Sequence, residues 1–226
     1  MADLLVTGTD TGVGKTVVAA ALVLALRGRG ERALGFKPVE TGIGPGEPAD
    51  SEVLAEASGT HEPLAAPLLR LAEALAPAVA AERAGVVLDP VAVEARISAL
   101  RGTGYRLVVE GAGGVHVPLA WGYTVLDLAR NRNLEAIVVA RAGLGTLNHV
   151  VLTVEALRSR GVAVRGVVLN GRGEPPDLAE ETNRAALERL LPGLRVAAVP
   201  RYREKSSLAV ARMAALGMGG LLQPAS

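Results

Sequence analysis

The sequence contains no cysteine, which excludes disulfides, thiolate metal sites and thiol nucleophiles. Aromatic residues make up only 2% of it, leaving few rings on which nucleic-acid bases could stack. Neither sign of charge dominates: 24 Lys and Arg stand against 23 Asp and Glu. That balance argues against a general binder of nucleic acid or of membrane surfaces. No apolar run reaches the roughly 20 residues needed to span a bilayer. The start, Met1-Ala2-Asp3-Leu4, has no basic region ahead of an apolar stretch, so no signal peptide is expected and the chain reads as cytoplasmic. The three histidines, His61, His116 and His149, lack metal-ligand spacing.

What is present is apolar. Half of the 226 residues are hydrophobic, enough to bury a sizeable core. No composition break or internal repeat divides the chain, so residues 1–226 are expected to form one domain. Short β-type runs alternate with longer helical ones. Strands are expected over residues 4–7, 32–36, 105–109, 136–140, 162–169 and 194–199. Helices are expected over 15–29, 51–57, 90–101 (with Asp89 as N-cap), 146–160, 177–191 and 206–215. Residues 62–85 are broken by proline and suggest helical pieces around Pro67 and Pro77. Strands that are apolar on both faces and separated by helices imply a doubly wound, mostly parallel sheet. In such sheets ligands bind at the C-terminal ends of the strands.

The first strand runs into Gly8-Thr9-Asp10-Thr11-Gly12-Val13-Gly14-Lys15-Thr16, and a helix follows. Glycines there let backbone N–H groups turn inward around phosphate oxygens, and the helix N-terminus adds positive potential. Lys15 can reach the β- and γ-phosphates of a nucleoside triphosphate, and the Thr16 hydroxyl can ligate Mg²⁺. Five residues separate Gly8 from Gly14, one more than the usual spacing. The loop resembles the deviant Walker loops of partitioning and cell-division ATPases. Those carry a signature lysine early in the loop, where this chain has Asp10.

Two further groups converge on the same sheet edge. Lys37 closes the second strand and is followed by Pro38. By position alone it is either a site residue or a solvated surface lysine, and Thr41 in the same loop reads as a turn residue. Glu110 ends the strongest central strand and precedes Gly111-Ala112-Gly113-Gly114. An acid at that place suits the shell of Mg²⁺, and the glycines allow a nucleotide to approach the backbone. Asp50 heads a short helix and reads more readily as an N-cap than as a further Mg²⁺ group. Residues 143–148 turn into a helix N-terminus, a geometry suited to a carboxylate ligand, though Thr146 or Asn148 could simply cap it.

Taken together, Gly8-Thr9-Asp10-Thr11 with Val13-Gly14-Lys15-Thr16, Lys37-Pro38-Val39 with Thr41-Gly42, Val109 to Gly114, and Gly145 with Asn148-His149 and Leu152-Thr153 resemble the dethiobiotin synthetase family of P-loop NTPases. The resemblance covers most of the chain from Leu4 to about Pro200. It implies an ATP- and Mg²⁺-dependent cyclo-ligase of biotin biosynthesis. Such an enzyme carboxylates 7,8-diaminononanoate with CO₂, passes through a carbamate and a carbamic–phosphoric anhydride, and closes a ureido ring. Carried over residue by residue, Thr11, Lys15 and Lys37 serve catalysis, and Gly12, Val13, Gly14, Lys15, Thr16 and Val17 hold the nucleotide phosphates. Thr16, Asp50 and Glu110 hold Mg²⁺, and Gly111, Ala112 and Gly113 line the nucleotide. Asn170, Gly171, Pro200, Arg201 and Tyr202 lie beside the base. Lys37 and Thr41 contact substrate, and Leu144, Gly145 and Asn148 reach it from the partner subunit of a homodimer. The family often continues Asn-Asp after the late strand, whereas this chain has Asn170-Gly171.

Two other functions compete. A partitioning-type ATPase acting as a nucleotide switch would want a lysine at position 10 and a basic or amphipathic tail. The tail over residues 217–226 has no charged side chain. A cobyrinate-type amidotransferase would need a glutaminase cysteine, which is absent.

Overall fold

Leu4, Leu5 and Val6 are wholly buried, and successive side chains of an extended chain point to opposite faces. Leu4 and Val6 enter one apolar core and Leu5 enters another. A strand buried on both faces needs helices above and below it. The computed structural model, which describes residues 2–43, 49–60, 62–172, 175–202 and 206–223, supplies them.

In chain order the elements are β1 (Leu4–Gly8), α1 (Lys15–Gly28), β2 (Ala33–Phe36), β3 (Val39–Thr41), α2 (Asp50–Ser58), α3 (Glu62–Ala65), β4 (Leu69–Leu71), α4 (Pro77–Arg83) and α5 (Pro90–Gly102). There follow β5 (Arg106–Gly114), β6 (Pro118–Ala120), β7 (Tyr123–Thr124), α6 (Val125–Asn131), β8 (Glu135–Arg141), α7 (Thr146–Ser159), β9 (Val164–Arg172), α8 (Leu178–Leu190), β10 (Arg195–Pro200), α9 (Ser207–Ala215) and a 3-10 turn, Met218–Leu222.

Six strands form one parallel sheet in the order β10-β9-β8-β1-β5-β2. The expected doubly wound α/β fold is therefore present. Helices α1 and α9 cover the face that carries Leu4 and Val6, and α5, α6 and α7 bury their apolar sides on the other. The chain leaves β1 toward β2 on one side of the sheet and later fills β8, β9 and β10 on the other. This reversal opens a crevice above the C-terminal ends of β1 and β5. The phosphate loop, Lys37, Asp50 and Glu110 gather around that crevice.

The structure departs from the sequence expectations in three places. Around Pro67 the chain is extended rather than helical: Leu68 donates its N–H to the Pro38 carbonyl at 2.8 Å, and β4 pairs in parallel with β3. A run of three residues is too short for period-two patterning to register. Between Val115 and Leu134, where the sequence pattern predicts no element, lie the β6–β7 pair and α6. Its cap is legible afterwards: the Thr124 hydroxyl accepts the Asp127 N–H, and Asp127 accepts the Thr124 N–H, the Thr-x-x-Asp form of the capping box. Finally, β5 does not stop at Glu110 but runs through the glycines, so that Gly114 pairs with Gly8 across a bulge.

One close approach holds α2, and with it Asp50, against the sheet. The Gly35 N–H on edge strand β2 donates to Ser58 Oγ at 2.9 Å. A Cβ at Gly35 would stand 2.9 Å from Leu54 Cβ, so α2 seats only on a glycine. Gly35→Ala is expected to destabilise the fold by about 1–3 kcal/mol through overpacking, at roughly 2–4 °C of Tm per kcal/mol for a chain of this length. A melting curve followed by circular dichroism checks this, and an unchanged Tm would refute the contact.

Candidate active site

The turn after β1 is built by two left-handed glycines, Gly12 (φ 71°) and Gly14 (φ 92°). Gly14 is also the N-cap of α1 and offers no side-chain acceptor, so the first N–H groups of α1 face the crevice. Thr11 N–H donates to Asp10 Oδ1 at 2.7 Å and Lys15 Nζ donates to the Asp10 carbonyl at 3.2 Å, curling the loop on itself. Asp10 has a partner outside the loop as well: Arg141, at the end of β8, donates to its Oδ2 at 2.8 Å. The sequence contains no hint of this pairing, since the two residues are joined only when β1 and β8 lie side by side.

Beyond the loop a lysine sits among acids. Lys37 Nζ is 2.8 Å from Glu110 Oε1 and also pairs with Asp50 Oδ2. The Thr16 hydroxyl lies 2.7 Å from Asp50 Oδ1 and 3.0 Å from Glu110 Oε1, sharing its one proton between them. Glu110 is only 1% exposed, and its Oε2 has no hydrogen-bond partner among the described residues. Burial acts to lower the Lys37 pKa, yet the Glu110 and Asp50 carboxylates overcome it and hold the ammonium above the ordinary lysine value. Burial also acts to raise Asp50, but the Lys37 ammonium and the Thr16 hydroxyl keep its carboxyl below the usual range. Burial pushes Glu110 up against the opposing Lys37. Burial lowers Lys15, with Glu110 pulling the other way.

These contacts answer two questions that position alone left open. Lys37 is buried rather than solvated. Asp50 is not a cap: the N-cap of α2 is Ala49, and Asp50 is the first helical residue. Its side chain leaves the helix end because two stronger partners, an ammonium and a hydroxyl, are within reach.

A cleft of about 680 Å³ joins the two groups. It is lined by Thr11, Gly12, Gly14, Lys15, Thr16 and Val17 of the loop and helix, by Lys37, Thr41, Asp50 and Glu110, and by Ala112 and Gly113. Gly111 lies behind that wall, where a Cβ would meet Val125 at 2.8 Å. Val39, Val117 and residues 74–77 add apolar surface, and Ser207 closes one side; sequence reasoning singled out none of these for the site.

A second cleft, of about 380 Å³, is lined by Gly12, Val13, Leu144, Asn170, Gly171 and Arg201 among others. Asn170 Nδ2 donates to the Val13 carbonyl at 2.9 Å, so this side chain also braces the phosphate loop. Pro200 ends edge strand β10 and is exposed, while Tyr202 packs beside the α1 core. Leu144, Gly145 and Asn148 lie at the start of α7 and line no part of the first cleft. Their turn is held by Asn183, whose amide donates to the Ala142 and Gly143 carbonyls at 2.7 and 3.0 Å. His116 and His149 are exposed, and His61 lies outside the described residues.

A family model described as an AAA domain matches residues 2–207. The ATP-dependent dethiobiotin synthetase BioD of Anaeromyxobacter dehalogenans (strain 2CP-1) is 50% identical over 191 residues, covering 84% of this chain and 86% of that one. This chain belongs to the dethiobiotin synthetase family of ATP-dependent ligases. Family members from Haloferax mediterranei (47% identity; 83% of this chain, 79% of the relative) and Frankia casuarinae (43%; 94% and 91%) agree. Among solved structures, the ATP complex of a McdA variant from Cyanothece matches at TM-score 0.58 with 16% identity, covering 98% of this chain and 92% of that one. The ADP complex of a nucleotide-binding protein from Archaeoglobus fulgidus matches at TM-score 0.52 with 16% identity, covering 99% and 89%. At these identities the two likenesses bear on the fold alone.

Within the synthetase family loop, Gly14 admits no replacement. A Cβ there would stand 2.0 Å from Asn170 Nδ2, at a backbone angle that side chains rarely adopt. Gly14→Ala is expected to abolish ATP binding in calorimetry. Adding Asn170→Ala should recover part of the lost thermal stability by removing the collision, while the left-handed strain remains. Retained binding in the single variant would refute this account of the loop.

Proposed function

We propose that this chain makes dethiobiotin in biotin biosynthesis, taking 7,8-diaminononanoate, CO₂ and ATP as substrates and Mg²⁺ as its metal. The observation that carries this reading is a buried ammonium, Lys37, facing the same cleft as the phosphate loop and standing between Asp50 and Glu110. An ATPase that passes phosphate to water needs no such wide, partly apolar space beyond the loop. A ligase does, because an activated carboxyl must be kept from water until an amine reaches it.

One substrate amine adds to CO₂ and loses a proton, giving a carbamate. A carbamate oxygen attacks the γ-phosphorus of ATP, the bond to the β-phosphate oxygen breaks, and ADP leaves. The second amine then attacks the carbamoyl carbon and gives up a proton, the bond to the phosphate oxygen breaks, inorganic phosphate departs and the ring closes. Negative charge gathers on the transferring phosphoryl group, and Lys15 and Lys37 lie where they offset it. Thr11 and the N–H groups of Gly12, Val13 and Gly14 cradle the phosphates. Thr41 meets the substrate, and Val39 and residues 74–77 exclude water.

Thr16, Asp50 and Glu110 would hold Mg²⁺, whose chemistry is to screen the phosphate charges. The residues fit it: all three present hard oxygens, and the buried Glu110 Oε2 has no partner of its own among the described residues. Asn170, Gly171, Pro200, Arg201 and Tyr202 would border the base. For the substrate carboxylate we infer a second copy of the chain. Leu144 is 93% exposed at the open N-terminus of α7, where Gly145 supplies no side-chain cap. Leu152, on α7 itself, is exposed as well, which adds apolar surface suited to a homodimer.

With ATP, Mg²⁺ and bicarbonate, ADP should form only when the diamine is added; diamine-independent turnover at the same rate would overturn the reading. Lys37→Ala should lower kcat by about 10²–10³, the usual cost of losing one charge-stabilising donor, with ATP affinity nearly unchanged. Chelating Mg²⁺ should stop turnover, and light scattering should give twice the mass of one chain; a fully active monomer would exclude the shared site.

A further inference from the structure

Asp50 belongs to the site but sits on α2, while Thr41 ends β3 and Lys37 lies in the short link between β2 and β3. Some contact must set these two pieces against each other. The strongest one runs through Glu40, which is 2% exposed and stands next to Thr41. Its Oε1 accepts the Ser51 backbone N–H at 2.6 Å, and its Oε2 accepts the Ser51 hydroxyl at 2.9 Å. Arg70, on β4, donates Nε to the same Oε2 at 3.2 Å and a second N–H to Ser51 Oγ at 3.0 Å. Ser51 is itself wholly buried. Three elements, β3, β4 and α2, therefore meet on one carboxylate.

The start of α2 explains why a carboxylate is needed there. The first N–H groups of a helix have no partner within it, and Ala49 at the N-cap has no side-chain oxygen to offer. Glu40 supplies the missing acceptor from a distant strand, with a charge that suits the helix end. Glu52 takes the Ala49 N–H at 3.3 Å. Asp50 lies between these two tethers, so its carboxylate is aimed by groups that never enter the cleft.

We propose that Glu40, with Ser51 and Arg70, is a positioning residue for the metal side of the site. It holds Asp50 where Asp50 can meet Thr16 and Mg²⁺, and it locks that helix to β3, the strand that bears Thr41 and follows Lys37 by one residue. The proposal rests on the reading of Asp50 as a Mg²⁺ group. Supporting groups around a metal ligand cost about 10–100-fold in metal affinity when removed.

The test is calorimetric titration of the protein with ATP, with and without Mg²⁺, so that no turnover is needed. The wild-type chain should bind ATP more tightly with Mg²⁺. In Glu40→Gln that Mg²⁺-dependent gain should shrink by about 10–100-fold, while metal-free ATP affinity stays within about twofold of wild type. Ser51→Ala should shift the same way by less, and Arg70→Lys should retain most of the gain. Asp3→Asn is the control: Asp3 is a buried carboxylate that accepts the Leu107 N–H at 2.7 Å, far from α2. It should lower Tm and leave the Mg²⁺ dependence alone. If Glu40→Gln does not fold, Ser51→Ala carries the reading. An unchanged Mg²⁺ gain in a folded Glu40→Gln or Ser51→Ala, or an equal loss in Asp3→Asn, overturns the positioning role alone. No Mg²⁺ gain in the wild-type chain overturns both this and the metal site it serves.

Discussion

The arrangement turns on a buried ammonium shared by two carboxylates. Lys37 follows the end of β2, Glu110 lies mid-way along β5, and Asp50 is the first residue of α2. Lys37 and Glu110 are the buried pair of this set, and removing either leaves the other uncompensated, at a cost of about 3–5 kcal/mol. Each element that delivers a member must therefore be placed within hydrogen-bond distance of the others. Strand β5 meets this demand by pairing directly with β1 and β2. Helix α2 meets it through Gly35, which lets Leu54 approach the sheet, and through the Glu40 tether.

The same principle organises the phosphate loop. Its glycines free the backbone to turn, but freedom alone would leave the loop undefined. Asn170 closes it from one side by binding the Val13 carbonyl, and Arg141 closes it from another by pairing with Asp10. Arg141 lies on β8, next to β1, and Asn170 on β9, the strand beyond it. An exposed ion pair such as Arg141–Asp10 contributes little to stability; its effect is to orient the loop. This also gives Asp10 a physical role at the position where partitioning ATPases carry lysine.

Legibility in the sequence followed the length and regularity of each signal. The six sheet strands and the long helices carry runs of apolar residues, and these were readable. Strand β4 and helix α6 are not legible, because three and seven residues give little periodicity, although Thr124 and Asp127 spell out a cap. Thr11, Gly12, Gly14 to Val17, Lys37, Thr41, Asp50, Glu110, Ala112 and Gly113 meet in one cleft. Gly111 stands behind it, and the base-side and α7 residues lie elsewhere on the same edge of the sheet. Glu40, Ser51, Arg70 and Arg141 gave no sign of themselves, since an isolated charged residue in a sequence looks solvated until its partner is known.

By itself, then, the sequence determined the alternation of strands and helices, the phosphate loop after β1, and the family, because these depend on residues that are neighbours along the chain. The tertiary structure decided that Asp50 faces Thr16 and Lys37 instead of capping its helix, that Lys37 is buried instead of solvated, and that Asn170 braces the loop. Those outcomes depend on pairs 13 to 157 residues apart. Whether a carboxylate or amide caps, pairs or ligates is set by the strongest partner the fold brings within about 3 Å, and that partner is named only when the strands are laid side by side.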